Sequence, residues 1–391
     1  MSSATKLAGD SASLETLIHQ QLAPLAQRID AEGYYPKLFM QQLGAHGGFA
    51  AAIPTKLGGT GLGLGQQITI GETVGSVCGS TAFLVWCQAA CAWYLRQTEN
   101  TLAQKRYLKS VAQGQLLAGT GMSNTVKHLA GIEKIHLRAR RKNNHFVVQG
   151  ALPWVSNIAK DHLAIVAAAA DDNGYIMFAV HGDTPGLTLR ACPEFAGMNG
   201  TQTLGLHFKD VVIPDEQVLA QPKEFANYIQ KIKPGFVLSQ TSMGLGAIAS
   251  ALAIIRHSNK RSAAINAYLD DQETVIQQQY HALRLKISQQ AHLLDHGKAD
   301  LLAILKLRLA STELALKASR SAALHAGAAG YLASHPAQRL QREALFVAIV
   351  TPALKHLRKE IQQLEEPLNS RTTEPGGKRH NSLAGLHPQT P

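Results

Sequence analysis

Apolar and polar positions along this chain follow three successive patterns. Up to about residue 115 the apolar positions recur at helical spacing, as at Leu14, Leu17, Ile18, Leu22 and Leu25. Glycine-rich segments at 44–48 and 58–65 interrupt these helices. The second, Gly58-Gly-Thr-Gly-Leu-Gly-Leu-Gly65, lacks the lysine and the strand–turn–helix setting of a phosphate loop, so it predicts a turn before the next helix. From about 116 to 222 the runs become short and strand-like: Phe146-Val-Val, Leu163-Ala-Ile-Val, Tyr175-Ile-Met-Phe-Ala-Val and Leu187-Thr-Leu. Turn signals at Asp171-Asp-Asn-Gly174 and Asp183-Thr-Pro-Gly186 separate them. From about 223 helical periodicity returns. Residues 239–257 are rich in Ala, Ser and Gly, which lets helices approach closely, and 272–295 and 301–325 are long periodic stretches. Leu302, Leu305, Leu309 and Leu316 predict the buried face of the last of these.

The expected fold class is α+β. It comprises an N-terminal helical domain (1–115), a middle antiparallel β-domain (116–222), a C-terminal four-helix bundle (223–366) and a disordered tail (367–391).

Composition narrows the function classes. Hydrophobic residues make up 45% of 391, enough for a sizeable core. No run reaches the ~18–20 apolar residues of a membrane helix, so no membrane association is expected. Met1-Ser-Ser-Ala-Thr does not open a signal peptide. Cys78, Cys87, Cys91 and Cys192 are sparse and irregular. They predict buried free thiols in a reducing cytoplasm, with no metal site. The net charge of +11 points to polyanionic partners, either nucleic acid or a phosphate-rich cofactor. Its densest cluster, Arg138-Ala-Arg-Arg-Lys142, precedes Asn143-Asn144 and predicts a charged strand end and hairpin turn. Aromatic residues are 6% and are not interleaved with the basic ones, which counts against a nucleic-acid platform.

Five segments in order carry a family resemblance. They are Ile53-Pro-Thr-Lys-Leu-Gly-Gly-Thr-Gly-Leu-Gly63; Trp154-Val155-Ser156 after the run 145–150; Gly197-Met-Asn-Gly-Thr-Gln-Thr203; Leu204-Gly-Leu-His-Phe-Lys-Asp-Val-Val-Ile-Pro214; and Ala326-Gly-Ala-Ala-Gly330 followed by Gln338-Arg-Leu-Gln-Arg342. Over residues 15–362 the chain resembles the acyl-CoA dehydrogenase family. The resemblance implies a flavoprotein oxidoreductase with FAD as cofactor and FMN as the alternative. In the family, Trp154 would shield one flavin face and Ser156 would hydrogen-bond the reactive N5. Ala118-Gly-Thr-Gly-Met-Ser-Asn-Thr-Val-Lys127 stands where the family's flavin and coenzyme A loop lies, which makes Thr120 and Ser123 cofactor candidates, with Lys127 and His128 as new cations nearby. Arg261 stands where many relatives place an arginine on the FAD pyrophosphate of a neighbouring subunit.

The resemblance also exposes a gap. Dehydrogenation of an acyl-CoA needs a base for the weakly acidic α-proton. The family's usual glutamate falls at Thr351, and the alternative used by some relatives falls near Gly235 or Phe236. Glu343 is expected in a structural salt bridge and Glu360 on a solvated helix face. His325, ahead of the glycine-rich turn, is expected either to face the flavin or to be structural. Three functions stay open: α,β-dehydrogenation of an acyl-CoA with hydride transfer to N5, a two-component flavin monooxygenase on a non-CoA substrate, and a non-catalytic scaffold. The implied partners are a small-molecule substrate, an electron-transferring flavoprotein or a flavin reductase, and further copies of the chain in a homodimer or homotetramer.

Overall fold

The computed structural model describes residues 14–171 and 174–372. Asp172 and Asn173 of the expected 171–174 turn lie outside the described residues, as do residues 373–391 of the expected tail. The N-terminal helical stretch buries Leu14, Leu17, Ile18 and Leu22 and ends in α1 (Ala26–Glu32). Four helices follow: α2 (Lys37–Ala45), α3 (Gly63–Val77), α4 (Gly79–Gln97) and α5 (Thr101–Ala112). The segment before α3 is a turn, as expected. Gly58, Gly61 and Gly63 all have positive φ, and a Cβ on Gly59 would lie 2.1 Å from the Ile53 carbonyl. Asp295 then caps α3, accepting from the Leu64 N–H at 2.8 Å.

The middle sheet has eight strands: β1 (Ala118–Thr120), β2 (Arg138–Lys142), β3 (His145–Val155), β4 (Leu163–Ala170), β5 (Tyr175–His181), β6 (Leu187–Ala191), β7 (Leu204–Pro214) and β8 (Val218–Ala220). Between β1 and β2 lies a short helix, α6 (Ser123–Leu129). The main path runs β6-β7-β3-β2-β4-β5-β8, with β1 beside β4. The expectation of an antiparallel sheet needs one correction, because β1 and β2 both run parallel to β4. Neither strand is joined to β4 by a hairpin: α6, β2 and β3 intervene after β1, and β3 intervenes after β2, so two parallel pairs enter the sheet. The basic run 138–142 is the expected strand and turn: β2 pairs antiparallel with β3 across Asn143 and Asn144, and Arg141 pairs with Asp215. Strand β4 is buried on both faces. Leu163, Ile165 and Ala167 face the core shared with the helices, and Ala164, Val166 and Ala168 face the sheet's own core, which explains its unbroken apolar run.

The C-terminal helices are α7 (Phe225–Ser239), α8 (Thr241–Asn266), α9 (Glu273–Asp295), α10 (Leu301–Ala326), α11 (Pro336–Ile349) and α12 (Leu354–Thr372). Helix α12 therefore extends past Glu366 into the segment expected as tail. Helix α8 lies at the centre, packed on α3, α10 and α11. The span Phe225–Asn266 is long and apolar enough to cross a membrane, which the run-length reading did not anticipate, but 83% of its most apolar window is buried within the protein.

The expected leucine stripe on α10 is also corrected. The buried face is Ile304, Leu305, Arg308, Ser311, Thr312, Ala315 and Ala318, while Leu302, Leu309 and Leu316 are only partly buried. A charged residue in the middle of that face broke the apolar pattern in the sequence.

Glu343 does more than pair with a cation. It is buried, lies 3.5 Å from Arg339, and accepts from the Gly79 N–H at 2.9 Å, which caps α4. Burial pushes its carboxyl up to about 7. Neighbouring Arg342 holds Asp30 with two bonds of 2.8 and 2.6 Å, tying α11 to α1.

The α3–α8 crossing sets the spacing of the whole helical core. A Cβ on Gly246 would lie 2.6 Å from the Gly75 Cα. We expect Gly246→Ala to cost about 1–3 kcal/mol in urea unfolding through overpacking. A loss below a few tenths would show that the crossing is not tight.

Candidate active site

The site residues gather where β1, the end of β3 and the start of α12 meet. A Cβ on Gly119 would lie 2.2 Å from the Ser156 carbonyl, and one on Gly121 would meet Val166, Leu152 and Val155. The 119–121 segment can therefore lie directly on the 152–156 turn only because it is glycine-rich. This brings Thr120, Ser123, Trp154 and Ser156 into one neighbourhood.

Trp154 has φ +58, is 61% exposed, and meets Phe195 edge-on at 5.9 Å between ring centroids. A large aromatic face held in an uncommon backbone conformation and left open suits a planar partner. Ser156 is buried and begins a chain of hydroxyls. Ser156 and Thr203 are 2.6 Å apart, Thr203 and Thr201 2.8 Å, and Thr201 donates to the Met198 carbonyl at 2.7 Å. A carbonyl can only accept, so each hydroxyl in this chain donates inward. Ser156 thus turns lone pairs outward, and donation by it to a ligand would require the chain to reverse.

Thr120 and Tyr94 share a hydrogen bond of 3.1 Å, and burial raises the Tyr94 phenol well above its ordinary range. Ser123 opens α6 and meets Thr351 at 2.8 Å between hydroxyl oxygens. The flavin-loop candidate and the position of the family's usual base are therefore in contact. Arg261 stands apart. It is exposed on α8 just before the non-helical Ser262, and among the described residues no hydrogen bond joins it to the others.

A cavity of about 200 Å³ opens beside this cluster. Its apolar wall includes Tyr94, Met122, Val126, Ile229, Ile232 and Phe236, and Pro352 adjoins it after Thr351. Phe236, one of the two alternative base positions, thus contributes a ring. Gly235 is packed under Trp93, where a Cβ would lie 2.4 Å from the indole. The polar part of the wall is Lys127, Lys233, His356, Lys359, Glu360 and Gln363. Glu360 is not on a solvated face as expected. It pairs with Lys233 across the wall, because α12 turns that side of its surface toward α7. Lys127 is held by Glu133 at 2.7 Å, and Lys359 donates to the Ala130 carbonyl at 3.0 Å. Burial, together with Lys355 and Lys127, lowers the His356 imidazole below its usual value, which favours the neutral ring.

His128 sits outside this wall, bonded to the Tyr175 hydroxyl at 2.9 Å. His325 is buried, with Nδ1 2.9 Å from the Ser321 carbonyl. Among the described residues no group of histidines, cysteines and carboxylates could hold a metal ion.

These features fit a flavin. An open indole face, the nearby hydroxyls of Thr120, Ser123 and Ser156, and an adjoining apolar cavity suit a planar ring with a polar edge. Sequence reasoning missed Tyr94 and Lys233, and named Phe236 only as a position lacking the base and Glu360 only on a solvated face. The signals for the first two were a tyrosine inside an apolar helix and the Lys233-Pro234-Gly235 run, and neither names a cavity.

Comparisons with known proteins identify the family and the fold. Residues 11–115 match the acyl-CoA dehydrogenase N-terminal domain, and residues 238–351 match the C-terminal domain of the same family. The chain is 26% identical over 351 residues to a cyclohex-1-ene-1-carbonyl-CoA dehydrogenase of Geobacter metallireducens, covering 85% of this chain and 90% of that one. Among solved structures it is similar to a glutaryl-coenzyme A dehydrogenase bound to glutaryl-CoA, with TM-score 0.84, 21% identity, and 97% of this chain and 99% of that one covered. It is also similar to an acyl-CoA dehydrogenase complexed with FAD from Bacillus anthracis, with TM-score 0.78, 17% identity, and coverage of 96% and 68%.

The Ser123–Thr351 contact can be measured directly. In a double-mutant cycle with Ser123→Ala and Thr351→Val, we expect a coupling of about 1 kcal/mol in unfolding free energy. A coupling indistinguishable from zero would mean that the two hydroxyls do not hold α6 to the turn at Thr351.

Proposed function

The chain belongs to the acyl-CoA dehydrogenase family, and we propose that it is an FAD-dependent oxidoreductase that removes hydrogens from the α and β carbons of an acyl-CoA. The observation that carries this reading is the placement of an open indole and a set of hydroxyls beside an apolar cavity with a cationic rim. FAD, when bound, supplies the acceptor for the hydride. Trp154 would cover one face of its ring, and Ser156, Thr120 and Ser123 would meet its polar edge. Arg261, exposed on α8, would reach the pyrophosphate belonging to a second copy of the chain, which favours FAD over FMN.

The apolar wall excludes water and holds the acyl chain through Tyr94, Ile229, Ile232 and Phe236. Lys127, Lys233 and Lys359 give the rim a positive character suited to a phosphate-bearing carrier. Thr351 and Phe236 cannot accept the α-proton. Among the described residues lining the cavity Glu360 is the carboxylate, and its partner Lys233 keeps a cation beside it.

Exposed Ile265, Tyr268, Tyr331, Leu332, Leu345 and Ile349 on the C-terminal region suit burial against further copies in a homodimer or homotetramer. An electron-transferring flavoprotein would reoxidise the cofactor. The free cysteines fit a cytoplasmic location.

The test is an anaerobic titration of the FAD-loaded protein with acyl-CoAs of increasing chain length, followed by flavin absorbance. Bleaching by one of them is the expected result. Firmly bound flavin that none of them bleaches would overturn the dehydrogenase reading and direct work to reduced flavin, oxygen and a non-CoA substrate. Separately, Trp154→Ala should weaken FAD binding by about tenfold, in keeping with the ~1–3 kcal/mol of an aromatic stacking contact. Unchanged affinity would remove Trp154 from the site.

A further inference from the structure

We propose that Arg308 is the positioning residue of this site, a cation buried behind Thr351 that fixes the backbone of the 347–351 turn and makes that position receptive to an oxyanion. The inference rests on and deepens the functional reading above, since it takes the Ser123–Thr351 contact, next to the cavity-lining Met122 and Pro352, as the reacting end.

Arg308 is the largest of the fully buried side chains, with no exposed surface. Buried guanidinium groups ordinarily face a carboxylate, because the desolvation cost is several kcal/mol per ion. Arg308 instead faces neutral acceptors. Its Nε donates to Gln240 Oε1 at 3.0 Å, Nη2 donates to the Val347 carbonyl at 2.7 Å, and Nη1 donates to the Thr312 hydroxyl. Burial lowers its pKa to about 10, which still leaves it protonated at neutral pH.

The other end of Gln240 donates to the Thr351 carbonyl at 2.9 Å. The carboxamide orientation is forced, since a guanidinium has only donors and a carbonyl only accepts. Arg308 therefore grips the chain on both sides of the α11 end, directly at Val347 and through one amide at Thr351. The C-terminal carbonyls of α11 supply part of the missing negative charge.

That arrangement leaves a whole positive charge one carboxamide away from the Thr351 main-chain carbonyl, in a buried interior. An oxygen that carries or gains negative charge beside Thr351 and Ser123 is stabilised there far more than it would be in water. A substrate carboxylate and a thioester oxygen drawing charge during reaction share this chemistry. The neutral residue at position 351 leaves the field of Arg308 free for such an oxygen.

A carboxylate placed at the position reports the field. Thr351→Glu would be prepared in full-length chain with its glutamate carboxyls labelled with carbon-13, and the added signal titrated. The same is done with Arg308→Lys and with Arg308→Gln present. We expect the introduced carboxylate to titrate at least about one pH unit lower with Arg or Lys at 308 than with Gln. Equal titration in all three would overturn the electrostatic half of the proposal.

Gln240→Leu severs the link and keeps the charge, so it also serves if Arg308→Gln does not fold. It should leave the introduced carboxylate within a few tenths of a pH unit while amide exchange over 347–352 quickens at least tenfold. Unchanged exchange would overturn the positioning half. Neither readout uses flavin or acyl-CoA, so a failed acyl-CoA titration and a failed Arg308 test are separate results.

Discussion

Helix α8 can occupy the middle of this protein only because its surface is nearly smooth. Gly246 lies against Gly75 of α3, Gly244 against Ser311 of α10, and Ser242 against Gly71. With side chains of ordinary size at these crossings, the helices on either side could not share one core with α8. The first helical region and the bundle do share it, together with one face of β4 and β5. The close approach also sets where the start of α8 lies, and Gln240 at that start reaches both Arg308 and Thr351.

The site is built at the seam between three bodies of structure, and each contributes a different kind of group. The sheet offers Trp154 and the hydroxyl chain of Ser156, Thr203 and Thr201. The first helical region offers Tyr94, which the glycine-rich approach of Gly119 and Gly121 at β1 brings beside the sheet's Thr120. The bundle offers the cavity wall, the buried cation and the turn at Thr351. Charge is distributed unevenly across this seam. The wall is apolar, its rim carries lysines whose nearby partners are Glu133 and Glu360, and the interior holds a guanidinium among neutral acceptors. A site of this kind can desolvate a substrate and steady a growing negative charge. Neither of the positions where the resemblance placed a carboxylate carries one.

Much of the α+β architecture was legible because it rests on periodicity. The unbroken apolar run of β4, the glycine turn before α3, the hairpin at Asn143 and the small residues of α8 are each legible from neighbours along the chain. The cofactor candidates were legible only through family resemblance, since a Trp-x-Ser turn has no chemistry of its own. The leucine stripe on α10 and the solvated placing of Glu360 failed for a common reason. Both inferred burial from one helix taken alone, where a charge marks a solvent face. Arg308 is buried because Gln240, Thr312 and Val347 come from the surroundings to meet it, and Glu360 is drawn inward by Lys233 from α7.

By itself, then, the sequence determined the kinds and order of elements, the absence of a carboxylate at positions 351 and 235–236, and the close-packing character of α8. These are properties of neighbours along the chain, where spacing, glycine and the chemistry of single residues act within a few positions. Tertiary structure alone decided which residues line the cavity, the inward polarity of the hydroxyl chain at Ser156, the meeting of Ser123 with Thr351, and the burial of a cation behind that turn. Each of those depends on groups tens to hundreds of residues apart, and no local period records where a distant acceptor will stand.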